Sequence, residues 1–200
     1  MMLDQTTART LDRKIVRHCA PTLVGVKPAS LFTCPAPYCA IAEWFEACSH
    51  KLAPCGVSME ALSRRKQATL VLVCRTKLVE RTLAHEQTAC YLSSLGYELS
   101  SCEACLASLR ARFARSQGSP CAGSSFPHEI GLLLGYPFDD VMGFIDGTRP
   151  CVACGPWKAY GNAQQACERF ELFRSCTRQL TERFDAGEDI KSLAALEFAA

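Results

Sequence analysis

The segment FPHEIGLLLGYPFDDVMGFI, residues 126 to 145, decides how the second half of the chain folds. Pro127 and Pro137 each stand where a helix can begin, since a first-turn proline gives up no hydrogen bond that the helix would have made. Between them Gly135 can take the positive φ that closes one helix before the next starts. The spacing predicts two short helices, 127–134 and 137–146, meeting at a steep angle across Gly135. Gly131, Gly135, Val141 and Phe144 also fit the spacing of a helix-turn-helix. The second helix, however, carries Asp139, Asp140 and Asp146 and no basic residue. Acids suit a helix N-terminus and repel phosphates, so the corner is not a DNA reader.

His128 and Glu129 follow Pro127 in the first predicted turn. A helix start offers free N–H groups, and an imidazole placed there can act as base or ligand. Adjacent residues on a helix do not share a face, so these two do not form a self-contained catalytic pair.

Outward from the corner, 200 residues are enough to bury a core without disulfides, and a single domain over 1–200 is expected. A net charge of +2 predicts no attraction to nucleic acid or to an anionic membrane. The longest apolar run, Ala68 to Cys74, is interrupted by Thr69 and is too short to span a bilayer. The N-terminus shows no signal-peptide pattern, so a cytoplasmic protein is expected. The Gly/Ser-rich SQGSPCAGSS, residues 116 to 125, reads as a flexible surface loop.

Periodicity supplies the remaining elements. A first helix is predicted to end near residue 20, before Pro21, and an amphipathic helix covers 40–53 with Ile41, Trp44, Phe45 and Cys48 on its apolar stripe. A hairpin near 57–75 turns at SRRKQ, with short strands near 29–33 and 157–160. Helices are predicted over 77–94 and 101–115, the latter opened by Ser100 and Glu103 as a capping box. A long helix capped by Asn162 with Gln165 turns Ala163, Ala166, Phe170, Phe173, Thr177, Leu180 and Phe184 inward and ends at Gly187; a last short helix covers 189–197. Helices outnumber local antiparallel strands, so the class is α+β, mostly helical with a small antiparallel sheet.

Fourteen cysteines are the unusual feature. Cys74 and Cys48 fall on apolar positions, where a free thiol behaves as a small hydrophobe. Cys151 and Cys154 form the best local pair, because two intervening residues let both sulfurs face one metal ion. Cys102 and Cys105 sit within a helix and read as packing. Cys167 and Cys176 lie on opposite sides of their helix and cannot serve one metal. His18 falls on the apolar side of the first helix and reads as a core histidine, whereas His50 and His85 lie on polar faces.

HCAPTLVGVKPASLF at 18–32, the segment 126–145, CGPWKAY at 154–160 and the Cys176-Thr177 pair resemble, in this order, an uncharacterised bacterial family, the domain of unknown function numbered 3793. The resemblance implies no established activity. It implies that His18, Cys19, His128, Glu129, Cys154, Trp157, Lys158, Tyr160 and Cys176 occupy the family's patterned positions. Among these, His18, Cys19, His128, Cys154 and Cys176 are a donor set that suits zinc or iron, drawn from four separate segments. His128, Glu129, Trp157, Lys158 and Tyr160 are candidates for holding a bound cofactor. The chain has no glycine-rich phosphate loop, nucleophile elbow or paired-acid motif. Three functions follow as expectations. They are a protein binding a transition metal or iron-containing cofactor, an enzyme pairing a cysteine nucleophile with His128 or His18, and an interaction module using Trp157 and Tyr160 at a surface. The partner is then a small ligand or a protein.

Overall fold

Strand β3 (Thr69–Arg75) carries the β-branched, apolar run TLVLV, and Val71, Leu72, Val73 and Cys74 along it are fully buried. The computed structural model describes residues 4–64, 66–118 and 126–196. In it β3 pairs antiparallel on both sides, with β1 (Ala29–Cys34) and with β2 (Val57–Arg64), giving the order β1-β3-β2. Ala29 lies opposite Cys74, and Val57 opposite Arg75. A register shift between Ala61 and Ser63 places a bulge in β2. The sheet is small and the rest of the chain largely helical, as an α+β protein should be.

Helix α1 (Gln5–Leu23) starts at Asp4, whose carboxylate accepts the Thr7 amide at 2.8 Å. It does not stop before Pro21 but runs through Leu23. The Pro21 carbonyl accepts the amides of Val26 and Lys27, so the chain turns out of the helix directly after it. Helix α2 (Tyr38–Leu52) buries Ile41, Trp44, Phe45, Cys48 and Leu52, the stripe its spacing predicts. The Trp44 indole donates to Asp12 of α1 at 2.7 Å. A 3-10 turn at Ala53–Cys55 leads into β2.

Helix α3 (Thr76–Leu83) and α4 (Glu86–Ser94) replace the single helix predicted over 77–94, with the break at Ala84 and His85. Helix α5 (Cys102–Gly118) is capped by Ser101, whose hydroxyl accepts the Ala104 amide at 3.1 Å, one residue later than the predicted box. It runs past residue 116, where the Gly/Ser loop was expected to begin, and 119–125 lie outside the described residues. The corner forms as two helices, α6 (Ile130–Leu133) and α7 (Phe138–Asp146), with Gly135 at φ 77° between them. The first is shorter than predicted, because residues 128 and 129 form a turn. Strands β4 (Ala153–Cys154) and β5 (Lys158–Ala159) form a hairpin, and α8 (Ala163–Asp185) follows, capped by Asn162 Oδ1 on the Gln165 amide. Along α8 the buried stripe is Ala166, Phe170, Phe173, Cys176, Leu180 and Phe184, so Cys176 takes the place predicted for Thr177. Helix α9 (Ile190–Ala194) is the last regular element among the described residues.

Two compact units result: Met1–Leu78 with Phe173–Ala200, and Val79–Leu172. The core of the first unites Ile15, Cys19 and Leu23 of α1, Phe32, the α2 stripe, Val71 and Val73 with Cys176, Leu180, Phe184, Ile190 and Leu193. Arg75, the last residue of β3, holds this unit together where its helices end. Its Nε donates to Thr22 O at 2.9 Å and its Nη1 to Cys55 O at 3.1 Å. Its Nη2 donates to Leu23 O and, at 2.7 Å, to Ala194 O. These carbonyls lie at the C-terminal ends of α1, the 3-10 turn and α9, where helical carbonyls lack partners and a positive charge is favoured.

Arg75→Lys keeps the charge but loses the planar fork that reaches three chain segments at once. The expected cost is about 3 kcal/mol from carbonyls left without donors. Urea unfolding followed by circular dichroism measures it; a loss under about 1 kcal/mol would show that water replaces the guanidinium there.

Candidate functional site

The two most distinctive segments, 126–145 and 154–160, converge on buried carboxylates of the second unit. Glu129 is only 5% exposed. It accepts the Tyr97 hydroxyl at 3.0 Å and Arg112 Nε at 2.5 Å, while Arg112 Nη1 binds Leu95 O at 3.2 Å. This set ties the corner to α5 and to the end of α4. Burial first, and then the Glu129 carboxylate, push the Tyr97 phenol well above its ordinary range.

Asp140 is 3% exposed and sits in the first turn of α7. Its Oδ1 accepts the backbone amides of Tyr160 at 2.6 Å and Gly161 at 2.8 Å, and its Oδ2 accepts the Trp157 indole N–H at 2.7 Å. The indole stacks on Tyr136 at 4.9 Å and meets Phe170 of α8 edge-on at 4.5 Å. Two glycines let these layers close. A Cβ at Gly155 would come within 2.5 Å of the Phe170 ring, and one at Gly143 within 2.6 Å of Tyr160. The WKAY segment is thus bound to the corner through one aspartate that sequence reading treated only as a helix-start acid.

The predicted site residues fall into different environments. Trp157 is buried, contrary to the expectation of a surface aromatic, because its N–H is consumed by Asp140. Tyr160 is half-buried, and Lys158 is exposed on β5. Cys19 and Cys176 both lie in the first unit's apolar core, and burial raises both thiols above the ordinary range. His18, read as a core histidine, is exposed and stacks on Phe32 at 5.5 Å with rings 6° from parallel. Partial desolvation of the ring, and then the charges of Arg17 and Lys14, hold it below the usual histidine range. His128 and Cys154 are exposed. Among the described residues no group of three or more His, Cys, Asp or Glu side chains is arranged to hold a metal ion.

Seven cysteines, at 19, 34, 48, 74, 102, 105 and 176, are buried, including Cys74 and Cys48 as predicted. Sequence reading passed over Lys27. Only 7% exposed, its ammonium lies 5.6 Å from the Phe173 ring, and burial lowers its pKa to about 8 from the usual 10.5. A lysine in the run GVKPAS carries no pattern that announces burial.

The fold and site define an α+β protein whose signature polar groups are engaged in joining its own segments. The chain belongs to the family described as Protein of unknown function (DUF3793), whose model matches residues 15–194. No curated protein and no solved structure matches it. No helix among the described residues is long and apolar enough to cross a membrane.

Asp140→Asn preserves shape but turns an amide NH2 toward the indole N–H or the two backbone amides. The expected cost is about 2 kcal/mol, read by urea unfolding, with a changed Trp157 emission in the folded state. Lys27 predicts a pH dependence of opposite origin. Its folded pKa lies below the unfolded one, so the unfolded chain binds more protons between about pH 8 and 10.5 and stability rises with pH through that window. The buried thiols work the other way above their ordinary pKa of 9.0, so the comparison must be with Lys27→Met, which shares them. The stability advantage of that variant should shrink by about 3 kcal/mol from below pH 8 to above 10.5. A constant difference across the window would mean the ammonium is solvated.

Proposed function

We propose that the chain is a non-catalytic interaction module that docks a short apolar segment of another protein on the outer face of the corner. One observation carries this reading. The exposed large hydrophobic side chains among the described residues are Phe126, Phe144, Ile145, Val152 and Leu172, and the first three belong to the corner. Phe126 and Phe144 flank the exposed His128 ring at 5.4 and 4.9 Å. Phe126 is braced edge-on by the buried Phe113 at 5.3 Å, and Ile145 follows Phe144 on α7. An apolar cluster with a hydrogen-bonding imidazole at its centre and Asp146 beside it is the composition of a docking surface.

Area sets the size of the partner. At 41%, 42% and 39% exposure, Phe126, Phe144 and Ile145 offer together about 250 Å². A lasting dimer needs about 800 Å² from each partner, so the patch suits a short segment with one or two apolar anchors. Support also comes from the commitment of Glu129, Asp140 and Trp157 to internal hydrogen bonds, and from the burial of Cys19 and Cys176. These groups are engaged where a catalytic or metal reading would need them free.

A photo-crosslinking residue at Ile145, and another at exposed Glu46 as control, tests this in the cells that make the protein. A discrete adduct at 145, absent at 46 and abolished by combining Phe126→Ser with Phe144→Ser, is expected. Identical adducts at both positions, no adduct at 145, or an adduct indifferent to the serine pair would refute the docking face. Both phenylalanines are exposed, so circular dichroism should show the double variant folded.

A further inference from the structure

The central strand β3 is paired on both sides, so the sheet ends at β1 on one side and at β2 on the other. The two edges differ. Strand β2 carries Glu60, Arg64 and a bulge between Ala61 and Ser63, devices that keep a sheet edge from pairing further. Strand β1 reads ASLFTC, with no charge, no proline and an unbroken register from Ala29 to Cys34. We infer that the outer edge of β1 receives an extended acidic segment of another protein, added antiparallel as a further strand.

The register identifies the groups that would bind it. In an antiparallel pair, residues that exchange both main-chain bonds with their partner alternate with residues that turn both groups away. The Arg75 amide donates to Pro28 O at 2.8 Å, one step before the pair Ala29 and Cys74. Pro28 therefore faces β3, and so do Ser30, Phe32 and Cys34. Ala29, Leu31 and Thr33 direct their N–H and C=O groups to the outer edge. Among the described residues no backbone or side-chain group bonds them there. Ala29 is buried, Leu31 half-buried and Thr33 exposed, so the edge opens toward its C-terminal end.

Charge selects the occupant. Helix α1 runs alongside β1, with Thr22 Oγ1 2.8 Å from Ser30 Oγ and the His18 ring stacked on Phe32. Lys14, four residues before His18, continues the same row, and Arg17 adjoins it. Arg17 and His18 are exposed and Lys14 is half-buried, whereas Ile15 and Cys19 on the other side of the helix lie in the core. Among the described residues neither Lys14 nor Arg17 forms an ion pair. A strand added beside β1 presents every second side chain on the α1 side, so carboxylates at alternate positions answer this basic row. Main-chain bonds then supply the attachment and the acids its selectivity. A second copy of the chain fits poorly. Two β1 edges joined antiparallel about a two-fold axis put both α1 helices on one side of the joined sheet, basic row toward basic row.

The test uses the full chain and a capped hexapeptide alternating glutamate and valine. Directly opposed residues share a face, so the glutamates meet the basic row while the valine N–H and C=O groups bond β1. On binding, the amide hydrogens of Leu31 and Thr33 should exchange at least tenfold more slowly, and that of Phe32, already bonded to β3, should not change. Methylating the valine amide nitrogens should abolish this protection, and methylating the glutamate ones should leave it; both peptides are tried on the unaltered chain. Lys14→Glu combined with Arg17→Glu should weaken the peptide at least tenfold and favour its lysine–valine counterpart, with circular dichroism checking that the variant is folded. No protection at Leu31 and Thr33, equal effects of the two methylated peptides, or an unchanged affinity in the charge-reversed chain would overturn the assignment. So would protection that rises with the concentration of the chain alone, which would make a second copy the occupant. None of these measurements touches the aromatic patch of the corner.

Discussion

Two charged side chains organise this protein chiefly through main-chain partners. Arg75 is the clearest case. One guanidinium ends the central strand and spends its donors on carbonyls from α1, from the turn after α2 and from α9. Without it three sets of helix-terminal acceptors would meet in a region from which water is largely removed, at the cost of unmade hydrogen bonds. Asp140 is the opposite arrangement, an anion met by main-chain and indole N–H groups. Each unit is organised by a side chain that does at its interior what solvent does at a surface.

Much of the framework was legible because it depends on local periodicity. The β57–75 hairpin, the stripe of α2, the asparagine cap of α8 and the glycine between α6 and α7 all rest on spacing or on one residue's backbone preference. The misses have equally local causes. A proline commonly ends a helix, yet α1 passes through Pro21 and ends two residues later. Residues 77–94 were read as continuous, although nothing in the apolar pattern marks the break before Glu86.

The site was less legible, since its chemistry depends on which distant groups meet. Glu129 and Trp157 stand out in the sequence, and both are buried in the structure. Their role as hydrogen-bonded struts becomes visible only when Tyr97, Arg112 and Asp140 are brought beside them. Arg112 and Asp140 look in sequence like any solvated helix charge. The reverse error occurred with His18, where an apolar helix position suggested a core and the ring instead lies over Phe32 at the surface. Periodicity places a side chain on a face, and the exposure of that face is decided by the elements packed against it.

The first unit is discontinuous in the chain, and this governs the order in which a ribosome can deliver a finished protein. Residues Val79–Leu172 form their unit from one uninterrupted stretch, whereas the other needs both Met1–Leu78 and Phe173–Ala200. The sheet can pair early, but Cys176, Leu180, Phe184, Ile190 and Leu193 fill its core, and the Ala194 carbonyl completes the shell of Arg75. At bacterial-to-eukaryotic elongation rates of about 5–20 residues per second, the nascent N-terminal half waits on the order of 10 seconds for those residues. Until then the first unit lacks part of its core, whereas every residue of the second unit is in place before Cys176 is made.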